Sequence, residues 1–366
     1  MSKDYYIIPI FVPHEGCPHD CVFCNQDKIT GVKKDSLRIT ENGRNVPLKD
    51  STCTEGNEEV TAESVRKTVN EYLETIDHEN ATLEISFFGG TFTGIKESKQ
   101  RELLEVAKEF KEKGIVDKIR MSTRPDYIND YILSYLKEYK ADIIELGVQS
   151  LDEEVLLKAG RGHNVQSVYE ASKLIKDYGF VLGHQIMPGL PGDTFETDME
   201  TARKSIEMKP DICRLYPALT IKGTAMEIMY KKGEYVPYSL EEAVEISKEM
   251  YKLYRSNCVN VIRIGLQPTE TINDKNDVVA GPFHPSFREL VESSLMVELI
   301  LKNMNKYEKG EIHINPKEIS KLYANKKMYF NILKQHGKDV KVIQDKAIER
   351  GKIIIYLKDK KIDIIY

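Results

Sequence analysis

Three cysteines, Cys17, Cys21 and Cys24, stand in a C-x3-C-x2-C spacing directly after the apolar run Tyr5–Val12. A cubic iron–sulfur cluster has four irons, and as a plain electron carrier it is held by four thiolates. Three close cysteines can hold three irons and leave the fourth open to another ligand, which turns a redox cluster into a site of chemistry. The alternative is a structural zinc ion, which needs four ligands and would recruit His14 or His19. Zinc ribbons bring a second C-x2-C pair, whereas Cys53, Cys213 and Cys258 are scattered singly. A disulfide is disfavoured, because pairing within three clustered cysteines leaves one over.

A second candidate is Phe87-Phe88-Gly89-Gly90-Thr91-Phe92, where two glycines follow a strand-like run. Glycines there let the backbone approach a ligand and offer it amide and carbonyl groups. His163 and His184 read as hydrogen-bonded structural histidines. Tyr216 ends a strand and either faces a substrate or packs the core, and His284 sits in the rigid loop Gly281-Pro282-Phe283-His284-Pro285. Cys53, Cys213 and Cys258 read as ordinary thiols.

The elements that must position these residues follow a strand-then-helix order. Strands are expected at Tyr5–Val12, Leu83–Phe88, Lys118–Ser122, Asp142–Leu146, Val181–Met187 and Ile212–Tyr216, with helices between them. Thr61-Ala62-Glu63-Ser64 is a helix start with an acidic first turn. Six such units joined by right-handed crossovers give an α/β fold, a partial (β/α)6 TIM-like barrel. A helix over Ser239–Arg255, a strand at Val259–Gly265 and a helix over Phe287–Asn303 extend it. Residues 30–59 are polar, hold Gly31, Gly43, Pro47 and Gly56, and break the pattern, so they read as a loop insertion next to the cysteines. The expected organisation is a barrel with its extension over 1–305 and a small basic α+β appendage over 306–366. In the appendage one helix near Pro316–Gln335 is expected between strands at Ile312–Ile314, Lys341–Gln344 and Lys352–Tyr356.

Charge is unevenly spread. Residues 301–366 hold 16 Lys+Arg against 8 Asp+Glu, a balance of +8, which leaves −13 for the rest of a chain whose total is −5. An acidic body with a basic end is the asymmetry of a polyanion binder, or simply a solvated lysine-rich surface. No apolar run approaches the ~18 residues that a bilayer span needs. The N-terminus lacks a secretory pattern, and sparse unpaired cysteines fit a reducing cytoplasm.

Five further segments occur in order with the cysteine motif: Gly89-Gly90-Thr91, Gly147-Val148-Gln149-Ser150, Gly160-Arg161-Gly162-His163 and Met187-Pro188-Gly189-Leu190-Pro191-Gly192, with Ser122-Thr123-Arg124-Pro125-Asp126 between the first two. This array resembles the radical S-adenosylmethionine (SAM) superfamily. The resemblance implies a [4Fe–4S] cluster on Cys17, Cys21 and Cys24, with SAM chelated at the open iron and cleaved to methionine and a 5′-deoxyadenosyl radical. By the same resemblance Phe23 packs near adenine, and Gly89, Gly90 and Thr91 meet the methionine amino end. Ser122, Gln149 and Arg161 reach the carboxylate or ribose, and Gln185 and Met187 face the ribose and adenine. A reduced flavodoxin or ferredoxin is the implied electron donor. A catalytic residue is not assigned.

Within the superfamily, Glu145-Leu146-Gly147-Val148-Gln149-Ser150, His184-Gln185-Ile186-Met187-Pro188 and Arg214-Leu215-Tyr216-Pro217-Ala218-Leu219-Thr220-Ile221-Lys222-Gly223-Thr224 are similar to the radical SAM domain of the Elongator catalytic subunit (Elp3-like), which modifies tRNA. A chain ending at Tyr366 has no room for the acetyltransferase domain of that subunit, and Cys17–Cys21 is a shorter spacing than Elongator uses. The expectation is therefore radical SAM chemistry in RNA (tRNA) modification. The alternatives are the same chemistry on a small metabolite, porphyrin-like compound or protein side chain, and a non-catalytic RNA-binding or metal-storing protein. Ala324-Asn325-Lys326-Lys327 occupies the place of the phosphate-clamping turn in a KH-like RNA module, without that turn's glycines.

Overall fold

The computed structural model describes residues 4–12, 21–25, 38–39, 45–46, 60–76, 81–266 and 277–366. Seven parallel strands form one curled sheet in sequential order: β1 (Asp4–Phe11), β2 (Ala81–Phe88), β3 (Lys118–Thr123), β4 (Ile143–Gln149), β5 (Val181–Ile186), β6 (Ile212–Leu215) and β7 (Asn260–Ile264). The six expected units are all present, and β7 pairs in parallel with β6 to add a seventh strand. This is a half-barrel with helices on its convex side.

The strands send one row of side chains to the helices and the other to the concave face. Ile8 and Ile10 of β1, Leu83, Ile85 and Phe87 of β2, Ile119 and Met121 of β3, and Ile144, Leu146 and Val148 of β4 join one apolar core with the helices. Their neighbours in sequence point the other way, into the concave face. Burial of that apolar row drives the sheet against α1 (Ala62–Leu73), α2 (Glu97–Glu112), α3 (Asp130–Glu138), α5 (Val165–Asp177, which follows the short α4, Glu153–Lys158) and α6 (Phe195–Glu207), at roughly 25 cal/mol per Å² removed from water. Thr61 caps α1 in a reciprocal box with Ser64, as its start signal predicts.

One device recurs at the foot of the sheet. Asp117, Asp142 and Asp211 end three crossovers, and each carboxylate accepts the backbone N–H of the preceding strand: Leu83 at 2.9 Å, Ile119 at 2.7 Å and Leu182 at 2.8 Å. Each therefore fixes where the next strand enters the sheet, and so which of its residues reach the far, C-terminal end.

The insertion at 30–59 lies outside the described residues apart from Arg38–Ile39 paired antiparallel with Asn45–Val46. After β6 come α7 (Ala225–Lys231), α8 (Leu240–Ser256) and α9 (Phe287–Asn303). The C-terminal segment forms a four-stranded sheet in the order β9 (Asp339–Gln344), β8 (Lys309–Ile314), β10 (Lys352–Tyr356), β11 (Lys361–Ile365), with only β8 and β9 parallel. The single expected helix over Pro316–Gln335 is instead broken into short pieces, because Asn325, Lys326 and Lys327 all have positive φ. The strand Lys361–Ile365 was not anticipated from the sequence. Ile312, Leu322 and Phe330 of this segment share a continuous core with Leu290, Met296 and Ile300 of α9.

His184 sits on the helix side of β5, fully buried, with its two ring nitrogens on Ser172 Oγ of α5 (3.0 Å) and Ser205 Oγ of α6 (2.8 Å). It is a structural bridge, as its sequence reading has it. Burial, reinforced by Lys176, pushes its pKa down to about 3. The unfolded chain therefore takes up a proton near pH 6.5 that the folded chain refuses until about pH 3, so this contribution to stability is lost as pH falls through that window. Urea denaturation of His184→Gln between pH 6.5 and 4 should show a pH slope shallower by up to about 1.4 kcal/mol per pH unit. An unchanged slope would show that this histidine is already charged in the fold.

Candidate active site

The chemistry-bearing residues gather at the C-terminal ends of the strands. Cys21 is buried, and its sulfur lies 3.4 Å from Arg161 Nη1 and 3.9 Å from Arg124 Nη1. Arg161 also donates through Nη2 to the Gly147 carbonyl, while Arg124 donates to the Arg161 carbonyl and grips Asp126 with two bonds of 2.9 and 3.0 Å. Burial opposes the Asp126 charge, but Arg124 outweighs it and holds the carboxyl below its usual range. Two guanidinium groups on one sulfur offset the negative charge that metal ligation by a thiolate requires. Cys24 lies one turn on, its N–H bonded to the Cys21 carbonyl at 3.0 Å. Cys17, His14, His19 and Cys53 lie outside the described residues.

Gly147 and Gln149 explain how Arg161 reaches this place. The β4–β5 register shifts between them, and Gln149 takes φ +69°, a left-handed conformation unusual for a side chain-bearing residue. A Cβ on Gly147 would meet Gln149 Nε2 at 3.2 Å and Arg161 Nη2 at 3.3 Å. Glycine is therefore what lets the two side chains lie over the strand end. Met187 N–H donates to the Gln149 carbonyl at 2.9 Å, which ties the end of β5 to the bulge.

Phe23 and Met187 pack on one small apolar cluster that includes Val155, Ala159, Leu190 and Met226. The Arg161 guanidinium stands 5.9 Å from the Phe23 ring centre. Val22 is clamped by its backbone, donating to the Ala159 carbonyl (3.1 Å) and accepting from Met226 N–H (2.8 Å). On the β2 side, Gly90, Thr91 and Ser122 line a shallow pocket with Val12 and Phe88, and Gly89 has φ +104°. Gln185 Nε2 donates to Ser122 Oγ at 3.3 Å. The expected site residues thus fall into two adjoining groups: Cys21, Phe23, Gln149, Arg161 and Met187 in one, and Gly89, Gly90, Thr91, Ser122 and Gln185 in the other.

Two buried atoms in the first group have no partner among the described residues, the acceptor Gln149 Oε1 and the donor Arg161 Nε. An unspent buried group of this kind costs about 1–3 kcal/mol until a ligand or water completes it. An acceptor and a cationic donor beside an apolar wall and an open glycine backbone fit a ligand with an amino acid head and a nucleoside body. The residues present therefore fit the expected cofactor pair.

His163 is buried beside this group, and neither ring nitrogen forms a hydrogen bond of ordinary geometry among the described residues, although the Val148 main chain interacts with the ring. This differs from its sequence reading as a hydrogen-bonded structural histidine. Burial, then the charges of Arg161 and Arg124, push its pKa down to about 3. His284 lines a small cavity with Pro217, Leu219 and Gly265, and its Nδ1 accepts from Ser286 N–H at 3.1 Å just before α9.

The concave face below these groups was missed from the sequence. It carries a chain of buried charges: the Tyr5 hydroxyl donates to Glu84, and Arg120 links Glu84 (2.9 Å) to Glu145 (3.1 Å). Arg214 then binds Glu145 (2.8 Å) and the Tyr216 hydroxyl (3.2 Å). Tyr216 therefore belongs to this network. The signal was present in Leu83-Glu84-Ile85-Ser86, Ile119-Arg120-Met121-Ser122 and Cys213-Arg214-Leu215-Tyr216, each alternating with period two. Asp193 and Asp198 were missed as well. They hold the Leu190 and Gly189 amides at 3.1 and 3.4 Å, and Tyr238 donates to Asp198 at 2.8 Å. Burial pushes Asp193 up to about 6 and, with Asp193 beside it, raises Asp198 well above its ordinary value.

The profile of the Radical SAM superfamily matches residues 11–204, and that of the Radical SAM C-terminal domain matches residues 210–296. The tRNA uridine(34) acetyltransferase of Methanocaldococcus jannaschii is 32% identical over 198 residues, covering 48% of this chain and 36% of that protein. Elongator complex protein 3 of Homo sapiens is 32% identical over 196 residues, with the same two shares. The chain thus spans little more than a third of the length of these relatives. Among solved structures, the archaeal Methanocaldococcus infernus Elp3 with an N-terminal deletion superposes with a TM-score of 0.54 at 26% identity, over 67% of this chain and 58% of that one.

Glu145 is the shared partner of two buried arginines, so Glu145→Ala leaves Arg214 without a carboxylate and Arg120 with Glu84 alone. Denaturation should register a loss of about 3–5 kcal/mol. The exposed helical pair Lys67–Glu71 gives the contrast, and Glu71→Ala should cost under about 0.5 kcal/mol. Equal losses at the two positions would refute a structural role for the buried chain.

Proposed function

The chain belongs to the radical SAM superfamily and is a radical SAM enzyme, and on that premise we propose that it modifies RNA, with tRNA as the substrate. The cofactors of the family are a [4Fe–4S] cluster and SAM. We assign the cluster to Cys17, Cys21 and Cys24, and SAM to Phe23, Gly89, Gly90, Thr91, Ser122, Gln149, Arg161, Gln185 and Met187. When bound and reduced, the pair supplies a 5′-deoxyadenosyl radical able to take a hydrogen atom from the substrate.

The observation that carries the site is Arg161. One guanidinium contacts the sulfur of Cys21, crosses to the Gly147 carbonyl and keeps Nε unspent beside Gln149. In this reading Arg161 and Arg124 stabilise the anionic sulfur, while Arg161 and Gln149 orient the amino acid head of SAM. Phe23 and Met187 form the apolar wall against adenine and keep water off it. Gly89 to Thr91 offer main-chain groups that no larger residue would leave open. His163, held neutral, adds no third positive charge next to the two arginines.

RNA as substrate is supported by the archaeal relative, whose name records action on tRNA uridine, and by the +8 balance of residues 301–366. Acetyl transfer is not proposed, since the matched region is only 36% of the relatives' length. Reduced flavodoxin or ferredoxin would deliver the electron, in a reducing cytoplasm. No helix among the described residues is long and apolar enough to cross a membrane.

After anaerobic reconstitution, Cys21→Ala and Cys24→Ala should lose bound iron and its visible absorption. Arg161→Gln should keep much of the iron yet bind SAM about 10–100-fold more weakly. Full SAM affinity in Arg161→Gln would remove this arginine from the site. For the substrate, nucleosides from total RNA of wild-type and deletion cells should differ by at least one modified species in mass spectrometry. Identical nucleoside profiles would overturn the RNA reading and leave the cofactor assignment standing.

A further inference from the structure

The basic C-terminal segment meets the barrel at a groove of about 500 Å³, which Cys258 lines but Cys21 and Cys24 do not. It lies by Asn260, the first residue of β7, and so at the opposite end of the sheet from the active site. Arg255 at the end of α8 and Arg288 of α9 line it from the barrel, and Lys321 and Arg350 line it from the appendage. Two carboxylates, Glu292 and Glu318, complete its charged lining.

The charges do not cancel. Glu292 is bound by Arg288 (2.9 Å) and Lys321 (3.0 Å). Glu318 is bound by Lys321 (2.7 Å), by the Gly351 N–H and by the Tyr366 hydroxyl. Both carboxylates are thereby satisfied with two cations and two neutral donors. Arg255 and Arg350 remain, both exposed, and neither forms an ion pair with any described residue. Arg255 lies 5.4 Å from the Tyr251 ring centre, and Arg288 lies 5.9 Å from the same ring. Stacking on that ring limits the motion of the guanidinium and leaves its hydrogen-bonding edge unspent.

We propose that this groove is a binding site for a phosphoryl group, received between Arg255 and Arg350. A guanidinium fork matches the spacing of phosphate oxygens and forms charge-assisted bonds with them. Two unspent guanidinium groups balance a dianion, while Lys321 and Arg288 keep the neighbouring carboxylates from repelling it. The inference rests on this charge balance and stands whether or not the active site acts on RNA. A phosphate of an RNA backbone and a free phosphate compound would use the same chemistry.

The test uses the full chain at low salt, with inorganic pyrophosphate and a single-stranded RNA oligonucleotide as probes. Arg255→Gln with Arg350→Gln removes both candidate ligands, and Lys334→Gln with Lys358→Gln removes the same charge from exposed positions elsewhere in the appendage. Calorimetric titration should show pyrophosphate binding weakened at least about tenfold by the arginine pair and less than about twofold by the lysine pair. Displacement of pyrophosphate by the oligonucleotide would identify RNA backbone as the source, and retention would identify a free phosphate compound. Absence of pyrophosphate binding to the wild-type chain, or equal weakening by the two double substitutions, would overturn the site.

Discussion

The structure depends on how four charges are kept inside a half-barrel. Glu84, Arg120, Glu145 and Arg214 are all at least nine-tenths buried, and they come from four different strands. Two are negative and two positive, each is hydrogen-bonded to its neighbour, and the chain ends in tyrosine hydroxyls at Tyr5 and Tyr216. Moving one such ion out of water costs several kcal/mol, so these side chains are tolerable only as a set. As a set they have a geometric consequence. Each inter-strand bond must connect particular residues, so the concave face allows one register, and a slip by one residue would place the charges among the helices.

That constraint explains why the strands alternate when buried parallel strands are usually apolar on both faces. The convex side needs an apolar row to hold the helices. The concave side cannot be filled with hydrocarbon and still leave a polar cavity open to the C-terminal end. Gly183 shows how closely the network is fitted, because a Cβ there would approach Glu145 Cγ to 2.7 Å. The strand ends are then fixed from both directions. The aspartates at the foot set where strands enter, and the charges in the middle set their register.

Much of this was legible in the sequence, for identifiable reasons. Strand-then-helix order, the capped start at Thr61 and the strand-end positions of Gly89, Gln149 and Met187 follow from local periodicity and turn chemistry. The concave charges were legible only as alternation. Nothing local says that Glu84 meets Arg120, 36 residues on, or that Glu145 meets Arg214, 69 residues on. Arg124 stood in a recognised motif, yet its contact with the Cys21 sulfur depends on the sheet bringing the end of β3 beside a loop that follows β1. The appendage helix was misread because Asn325, Lys326 and Lys327 carry no glycine to announce a left-handed turn.

The loop after β5 shows how the same economy extends to the active-site end. Gly189 has φ +84°, and a Cβ there would strike the Tyr238 ring at 2.7 Å. The ring can approach only because the residue is glycine, and its hydroxyl then reaches Asp198. Asp198 and Asp193 turn their oxygens toward the Gly189 and Leu190 amides, which would otherwise be buried donors without acceptors. Two carboxylates this close resist a second negative charge, so one shared proton suits the site better than two full ions. Such a pair holds the loop by hydrogen bonds while carrying one negative charge instead of two. The other charges at this end of the barrel are Arg161, Arg124 and its partner Asp126, gathered around the Cys21 sulfur.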